Sequence, residues 1–427
     1  MRAPAASAGA YSVPGQRALG KVVSTALFLT IAASPFVLIE PSPYEAVFVL
    51  LALAFLVARV PLDRGIVPLV LLLLLWNMSG LVALVPYLHD MKAVTFMTTS
   101  VYLAVTAVIF ACLFAEESDR RLQIMRAAYI LAAVIAATIG IAAYFHLLPN
   151  SDLFLLGSIR AKSTFKDPNV YGPFLILPLL LIVERSLREG IRTLDVPITL
   201  VLLFGLFLSF SRGAWAHFLV SSALLLLLMF VTSPSPRFRA RILTLGILAV
   251  TGLALLLVAA LSFDAIGNVF AERASIIQQY DAGPGGRFGR QMEGLTGILM
   301  SPLGIGPLQF AKEFGHDPHN VYLNAFASYG WAGGIAYLML VLTTLFVGFR
   351  AALVRTPWQP FLIAVMAVYT GAALEGVVID TDHWRHYFLL LGLIWGMSIA
   401  TGRATRRVSE EANPASVPAR YRIFRLG

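Results

Sequence analysis

The chain has 427 residues, of which 58% are hydrophobic and 13% are charged, and its formal net charge is +9. Soluble domains carry about 25% charged residues, so this composition excludes an ordinary soluble protein. The single cysteine, Cys112, excludes a disulfide framework and a cysteine metal cluster. The basic residues form short clusters between apolar runs, which indicates a multi-pass membrane protein with no nucleic-acid partner.

Apolar runs follow one another along the whole chain, many of them near the roughly 20 residues that a spanning helix requires. They are 22–39, 44–58, 65–88, 93–115, 127–148, 169–184, 194–210, 213–232, 242–263, 319–349, 357–379 and 384–402. The predicted fold is therefore all-α, a polytopic transmembrane helical bundle of about 12 spans. The first run is interpreted as a span and not as a cleaved signal peptide, because a second span follows at once.

The distribution of lysine and arginine predicts the orientation of these spans. Most basic residues fall on one side if both termini are cytoplasmic, as the positive-inside rule requires. Residues 1–402 are then one transmembrane domain, and 403–427 are a basic cytoplasmic tail. The longest segment between spans, 264–318, is predicted to be a large outer loop carrying short helices, and long loops with their own helices are usually functional.

A histidine enters the span that follows this loop. In Asp317-Pro318-His319-Asn320, Asn320 is a suitable N-cap for the next helix. His319 then lies beside the positive end of a helix dipole, which disfavours the imidazolium form. A neutral histidine can accept a proton from a sugar hydroxyl, although a loop histidine that only hydrogen-bonds the helix end has the same sequence pattern.

Arginines recur at the same predicted face. Arg212 joins two spans with hardly any loop between them, so it lies near membrane depth, where a charge either serves a function or extends to lipid headgroups. Arg287 and Arg290 are three residues apart and share one helix face. Two guanidiniums on one face can clamp a phosphate, and the same spacing also suits a contact with anionic headgroups.

A second basic group precedes the span that begins near 169. Arg160 and Lys162 lie just outside this span, and Asn169 is a candidate for its cap. Asp380-Thr381-Asp382 has the spacing of metal-binding acids in nucleotide-sugar transferases, but it falls on the outer side, away from cytoplasmic nucleotide sugars. We interpret these acids as partners for Arg385 or for other outer arginines.

Several segments of the chain resemble those of the O-antigen ligases. His319-Asn320, nine further residues and then Gly330-Trp331-Ala332-Gly333 are similar to the ligase signature. Ser301 to Pro307 resembles the stretch before that signature. Lys162-Ser163-Thr164-Phe165 with Asp167 to Gly172, and Ser209 to Trp215, resemble two upstream segments of the same superfamily. The four segments occur in the family's order.

The resemblance implies a glycosyltransferase of the bacterial inner membrane that works on the periplasmic side. Its donor would be an undecaprenyl diphosphate-linked glycan, its acceptor a lipid A-core or polysaccharide sugar, and its surroundings membrane lipids. Neither metal nor cofactor is implied, and the anomeric carbon would be inverted. His319 matches the histidine that activates the acceptor, and Arg212 and Arg287 match arginines that hold the diphosphate. Arg290, Lys162, Arg160, Asn320 and Asn169 are the further substrate-binding candidates.

Two other functions fit parts of the same pattern. A polymerase of O-antigen or exopolysaccharide would share the donor and join one repeat unit to another. A transporter or flippase of an anionic lipid-linked sugar would also place arginines in the membrane. It would be expected to have two related halves with interrupted helices, and no clear internal repeat is visible in the sequence.

Overall fold

The computed structural model describes residues 14–39, 41–157, 159–262, 270 and 287–412. The helices are α1 (Pro14–Ala33), α2 (Pro43–Val57), α3 (Val67–Leu84), α4 (Met91–Ala115), α5 (Ser118–Tyr144), α6 (Pro168–Phe174), α7 (Ile176–Glu189), α8 (Asp195–Leu208), α9 (Arg212–Thr232), α10 (Pro236–Leu261), α11 (Arg287–Met300), α12 (Phe310–Phe314), α13 (Val321–Ala352), α14 (Gln359–Glu375) and α15 (Arg385–Ala412). Short 3-10 helices occupy Arg64–Ile66, Val85–Tyr87 and Ser151–Phe154. The strands β1 (Leu155–Leu156) and β2 (Arg160–Ala161) pair antiparallel.

Within the described residues, eight helical segments are long and apolar enough to cross a membrane. They are Arg64–Tyr87, Met91–Ala115, Ser118–Tyr144, Pro168–Glu189, Arg212–Thr232, Pro236–Ala259, Val321–Ala352 and Arg385–Arg407. The shorter apolar helices Ala18–Ala33, Pro43–Val57, Asp195–Leu208 and Gln359–Glu375 coincide with the remaining predicted spans. The polytopic helical bundle is confirmed, whereas the count of about 12 crossings stays a prediction, since these four are shorter than roughly 20 residues.

The centre of the bundle is formed by close helix pairs, in which α15 packs along α4, α13 along α3 and α14 along α9. Gly392 and Gly396 make the first contact close. A Cβ on Gly392 would lie 2.3 Å from the Cβ of Phe110, and one on Gly396 would lie 2.6 Å from the carbonyl oxygen of Ala111. Small residues four apart let two backbones approach closely, which drives helix association in lipid.

The helix α13 is interrupted at Gly330, whose backbone has φ 71° and ψ −178°. The break frees polar backbone groups, and neighbouring segments bind them. Trp331 donates its N–H to the carbonyl oxygen of Pro302 at 2.9 Å, and the Ser79 hydroxyl donates to the carbonyl oxygen of Tyr329 at 2.7 Å. The ligase-like signature and the Pro302 segment are therefore one structural unit, because each satisfies the backbone of the other.

Replacement of Gly330 by alanine is expected to lower the free energy of unfolding by about 1–3 kcal/mol, the cost of holding an L-residue at this φ. Crowding adds to this cost, because the new Cβ would lie 2.8 Å from the Pro302 oxygen. Gly402→Ala is the matched control, since a Cβ on this α15 glycine meets nothing within 4 Å. Thermal unfolding in detergent measures the stability of both variants. Equal unfolding midpoints for the two would contradict the expectation.

The end of the bundle opposite His319 is held together by ion pairs. Arg403 on α15 binds Asp63, which precedes α3, and Glu116, which follows α4. The carboxylate of Glu184, fully buried on α7, is bound by Arg126 and Arg188. The predicted domain boundary at residue 402 falls inside α15, which continues to Ala412.

Candidate active site

His319 lies in the link between α12 and α13, directly before the Asn320 cap, and this stretch is called the His319 turn. The φ of His319 is 44°, in the left-handed region, and its side chain is half-buried. Asn320 caps α13, with its Oδ1 accepting from the N–H groups of Tyr322 and Leu323 at 3.1 Å each. The cap predicted for Asn320 is confirmed. A non-glycine residue at positive φ persists only where its surroundings hold it, and such residues cluster at functional sites.

Asp380, in the link between α14 and α15, holds this turn. Its carboxyl accepts the N–H of Asn320 at 3.1 Å and is also hydrogen-bonded to the backbone of His319. The N–H of Val321 donates to the carbonyl oxygen of Gly376 at 2.8 Å, which fixes the same link to the start of α13. The second acid of the pair, Asp382, accepts from the Asn324 amide at 3.2 Å.

Burial away from water, and then the neighbouring carboxylates Asp382 and Asp317, raise the pKa of Asp380 to about 8. The folded chain therefore keeps this proton up to about pH 8, whereas the unfolded chain releases it near pH 4. Because the folded state binds more protons in this window, stability is expected to fall as the pH rises from about 4 to about 8 and to level off above that.

The variant Asp380→Asn tests this pH dependence. An amide still accepts the backbone N–H groups but does not titrate, so the variant is expected to show a flatter decline of the unfolding temperature between pH 5 and pH 9. Thermal unfolding of both proteins in the same detergent measures the two slopes. Identical slopes would mean that Asp380 is ionised throughout the range.

The predicted arginine segments meet at one end of the bundle. Arg160 donates from Nε to the carbonyl oxygen of Ser209 at 3.1 Å and from Nη2 to the Asn169 Oδ1 at 3.0 Å. Ser209 lies in the turn before α9, which Arg212 begins, and Arg212 is half-buried. Arg160 thus joins two segments that resemble the ligases. Lys162 follows β2 and is half-buried.

The cap predicted for Asn169 is wrong. Asp167 is the N-cap of α6, and its Oδ1 accepts the N–H of Asn169 at 2.6 Å. The physical reason is Pro168, which is favoured at the first helical position and makes the preceding residue the cap. Asn169 consequently has its side chain available for Arg160, so it stays a candidate for substrate binding.

Arg287 and Arg290 lie at the start of α11, and their side chains are outside the described residues. The helix itself packs against α12 and against the broken part of α13. A Cβ on Gly294 would lie 2.2 Å from the ring of Phe310, and the Trp331 indole donates to the carbonyl oxygen of Ile298 at 3.0 Å. The two arginines therefore belong to a helix that contacts the signature segment, and their role as a phosphate clamp stays a prediction.

Sequence reasoning missed a buried pair between α9 and α14. His217 Nδ1 lies 2.7 Å from the Glu375 Oε2, and His217 Nε2 lies 2.9 Å from the carbonyl oxygen of Val368. Both side chains are almost inaccessible to solvent, at 1% and 2% exposure. A Cβ on Gly213 would lie 2.8 Å from the Glu375 Oε1. The end of α14 thus contacts both the helix that Arg212 begins and, through Gly376, the helix that follows His319.

The family model described as O-antigen ligase matches residues 197–338. The match runs from α8 into α13 and includes Arg212, Arg287 and His319. No curated protein matches the chain. Asp380 and Glu375 lie outside the matched residues, although both contact the turn or the helix that the match includes. The match covers about a third of the chain, contains His319 and runs past the Gly330 break, so this part of the chain is similar to the O-antigen ligases, and the apolar helices indicate a multi-pass membrane protein.

Proposed function

We propose that the chain transfers a glycan from undecaprenyl diphosphate to a sugar hydroxyl on the periplasmic face of the bacterial inner membrane, as an O-antigen ligase does. The family match supports a ligase- or polymerase-like membrane glycosyltransferase. The observation that carries the finer proposal is the left-handed turn of His319, which Asp380 and the Asn320 cap hold in place. A catalytic base needs such a fixed position.

The residues have complementary roles in this transfer. The acceptor oxygen attacks the anomeric carbon, the bond from that carbon to the diphosphate oxygen breaks, and the acceptor proton passes to a ring nitrogen of His319. Negative charge then collects on the leaving diphosphate, where Arg212 and Arg287 would stabilise it. One displacement inverts the anomeric carbon. The charge on the leaving group is met by arginines, so neither metal nor nucleotide is needed for these steps.

The second basic segment supports the donor site. Arg160 is fixed by Ser209 and Asn169, so the segments before α6 and before α9 form one surface beside Arg212. Guanidinium groups suit phosphate because they donate paired hydrogen bonds. We assign Arg160, Lys162, Asn169 and Arg290 to the binding of the donor diphosphate and its first sugar, and Asn320 to the shape of the His319 turn.

The glycan profile of cells that lack the protein tests the proposal. Loss of long glycans from lipid A-core, with lipid-linked chains still made, is the expected result for a ligase. Accumulation of single repeat units would identify a polymerase instead. An unchanged profile of every surface glycan would contradict the proposal.

A transporter of a lipid-linked sugar is the second candidate, because the membrane helix α13 is interrupted at Gly330. Interrupted helices are typical of transporters. Proteoliposomes distinguish the two functions, since a transporter moves the intact lipid-linked sugar without forming a glycosidic bond.

A further inference from the structure

A cavity of about 520 Å³ lies beside the His319 turn. Asp317, Pro318 and Asp380 line it, and the first turns of α4, the segment 165–174 and the start of α15 complete the wall. Its volume falls within the range of about 300–1,000 Å³ that is usual for small-molecule sites. His319 itself and the Arg212 turn are not among its lining residues.

The wall of this cavity combines aromatic rings with charged groups of both signs. Phe96, Phe165 and Trp384 supply ring surface, Lys92 and Lys166 supply positive charge, and Asp317, Asp380 and Asp382 supply carboxyl groups. A polyprenyl tail would leave the polar side chains of this wall without partners, and a diphosphate would lie against the carboxylates of Asp317 and Asp382. A sugar suits the mixture, because its C–H faces pack on rings while its hydroxyls both donate and accept hydrogen bonds.

Two residues of the cavity wall have buried polar atoms without a hydrogen-bond partner in the described part of the chain. His386 is buried, and its Nε2 has no hydrogen-bond partner within the described part of the chain; the same is true of the Tyr102 hydroxyl. The His386 ring is fixed by an edge-on contact with Phe174, at 5.9 Å between centroids, and by Trp384 at 5.2 Å. Buried polar groups are nearly always paired, so these two atoms indicate that a polar ligand belongs in the cavity.

We propose that this cavity binds the acceptor sugar, with His386 and Tyr102 hydrogen-bonding its hydroxyls. The inference rests on the proposed glycan transfer. It adds the place at which the acceptor, the second substrate, binds. The donor diphosphate is assigned to the surface of Arg160 and Arg212, and the cavity reaches Asp317 and Pro318 directly before His319. The histidine turn therefore lies at the rim of the acceptor site, as a base for the acceptor hydroxyl requires.

The variants His386→Phe and Tyr102→Phe test the assignment. Each keeps an aromatic ring and removes only the polar atoms, so the unfolding temperature is expected to equal or exceed that of the wild type. His89→Phe is the matched control, because the same change is made at an exposed histidine outside the cavity wall. The full chain is placed in nanodiscs of phosphatidylethanolamine and phosphatidylglycerol, and tryptophan fluorescence reports binding through Trp384.

Three probes are compared, namely core oligosaccharide from deacylated lipopolysaccharide, the oligosaccharide released from the lipid-linked glycan, and undecaprenyl diphosphate. One of the two sugars is expected to bind to the wild type. Each cavity variant is expected to lower the affinity for that sugar about tenfold, which is a loss typical of one hydrogen bond. The affinity for undecaprenyl diphosphate should not change. The sugar that binds identifies the acceptor. Trp384→Phe should remove the signal.

Either of two results would overturn the assignment. One is an unchanged affinity for sugar in both cavity variants, and the other is weakened binding of undecaprenyl diphosphate in its place. Turnover separates this inference from the proposed function. Transfer by the wild type with an unaltered acceptor KM in both variants would reject the cavity and keep the function, whereas sugar binding without any transfer would reject the function and keep the cavity as a sugar site.

Discussion

Replacement of His319 is expected to reduce glycan transfer by about 10²–10⁴-fold while the chain still folds and inserts, because a general base contributes this much to a proton-transfer step. The choice of substitute matters, since His319 has a φ of 44°. Asparagine and glycine accept the left-handed region more readily than alanine does, so His319→Asn and His319→Gly remove the base with the least disturbance of the turn.

The control for this prediction lies in the same loop. His316 is exposed and only three residues away, so His316→Ala should transfer at the wild-type rate. Initial rates with saturating donor measure all of these variants, and thermal unfolding confirms that each is folded. Wild-type activity in His319→Asn would remove the proposed base and leave the histidine as a residue that shapes the helix end.

Replacement of Glu375 by alanine is expected to lower the free energy of unfolding by about 1–3 kcal/mol, the usual cost of leaving a buried polar group without its hydrogen-bond partner. His217 would be left in an apolar interior with one ring nitrogen unpaired. Glu375→Gln should lower the free energy of unfolding much less, because an amide of the same shape can still hydrogen-bond the imidazole. Thermal unfolding in detergent measures the series.

The double variant His217→Phe with Glu375→Met separates pairing from packing. Two apolar side chains of similar size are expected to restore much of the stability lost in Glu375→Ala, because neither leaves a polar group unsatisfied. Transfer activity should stay low if the pair positions Arg212, since Gly213 directly contacts Glu375. Equal stability of Glu375→Ala and the wild type would show that the pair is not formed.

Helix positions could be predicted from the sequence because the length of an apolar run directly reports burial in lipid. The break at Gly330 could not, because the run continues through Tyr329 and Trp331 without a change in polarity. What permits the break is the Pro302 carbonyl, which the sequence places in a separate loop. The cap of α6 was readable in principle, because Pro168 at the first helical position identifies Asp167 as its cap.

Some residues of the candidate site could be predicted from the sequence and others could not. His319 and Arg212 were predicted because they occur in ordered motifs of a known family. Asp380 and Glu375 were missed as parts of the site because their partners are 60 and 158 residues distant, and no local spacing reports such contacts. Asp380 was interpreted as a partner for Arg385 or other outer arginines, whereas its described contacts are with the backbone of the His319 turn, and Arg385 binds Glu45.

The most direct test is transfer by the purified full chain in liposomes that contain an undecaprenyl diphosphate-linked glycan, a chelator, and either lipid A-core or a second lipid-linked glycan as acceptor. We expect a new glycosidic bond of inverted anomeric configuration, release of one undecaprenyl diphosphate for each bond formed, and no product from His319→Asn. Movement of the intact lipid-linked glycan across the bilayer with no new bond would contradict the proposed glycan transfer and favour the transporter.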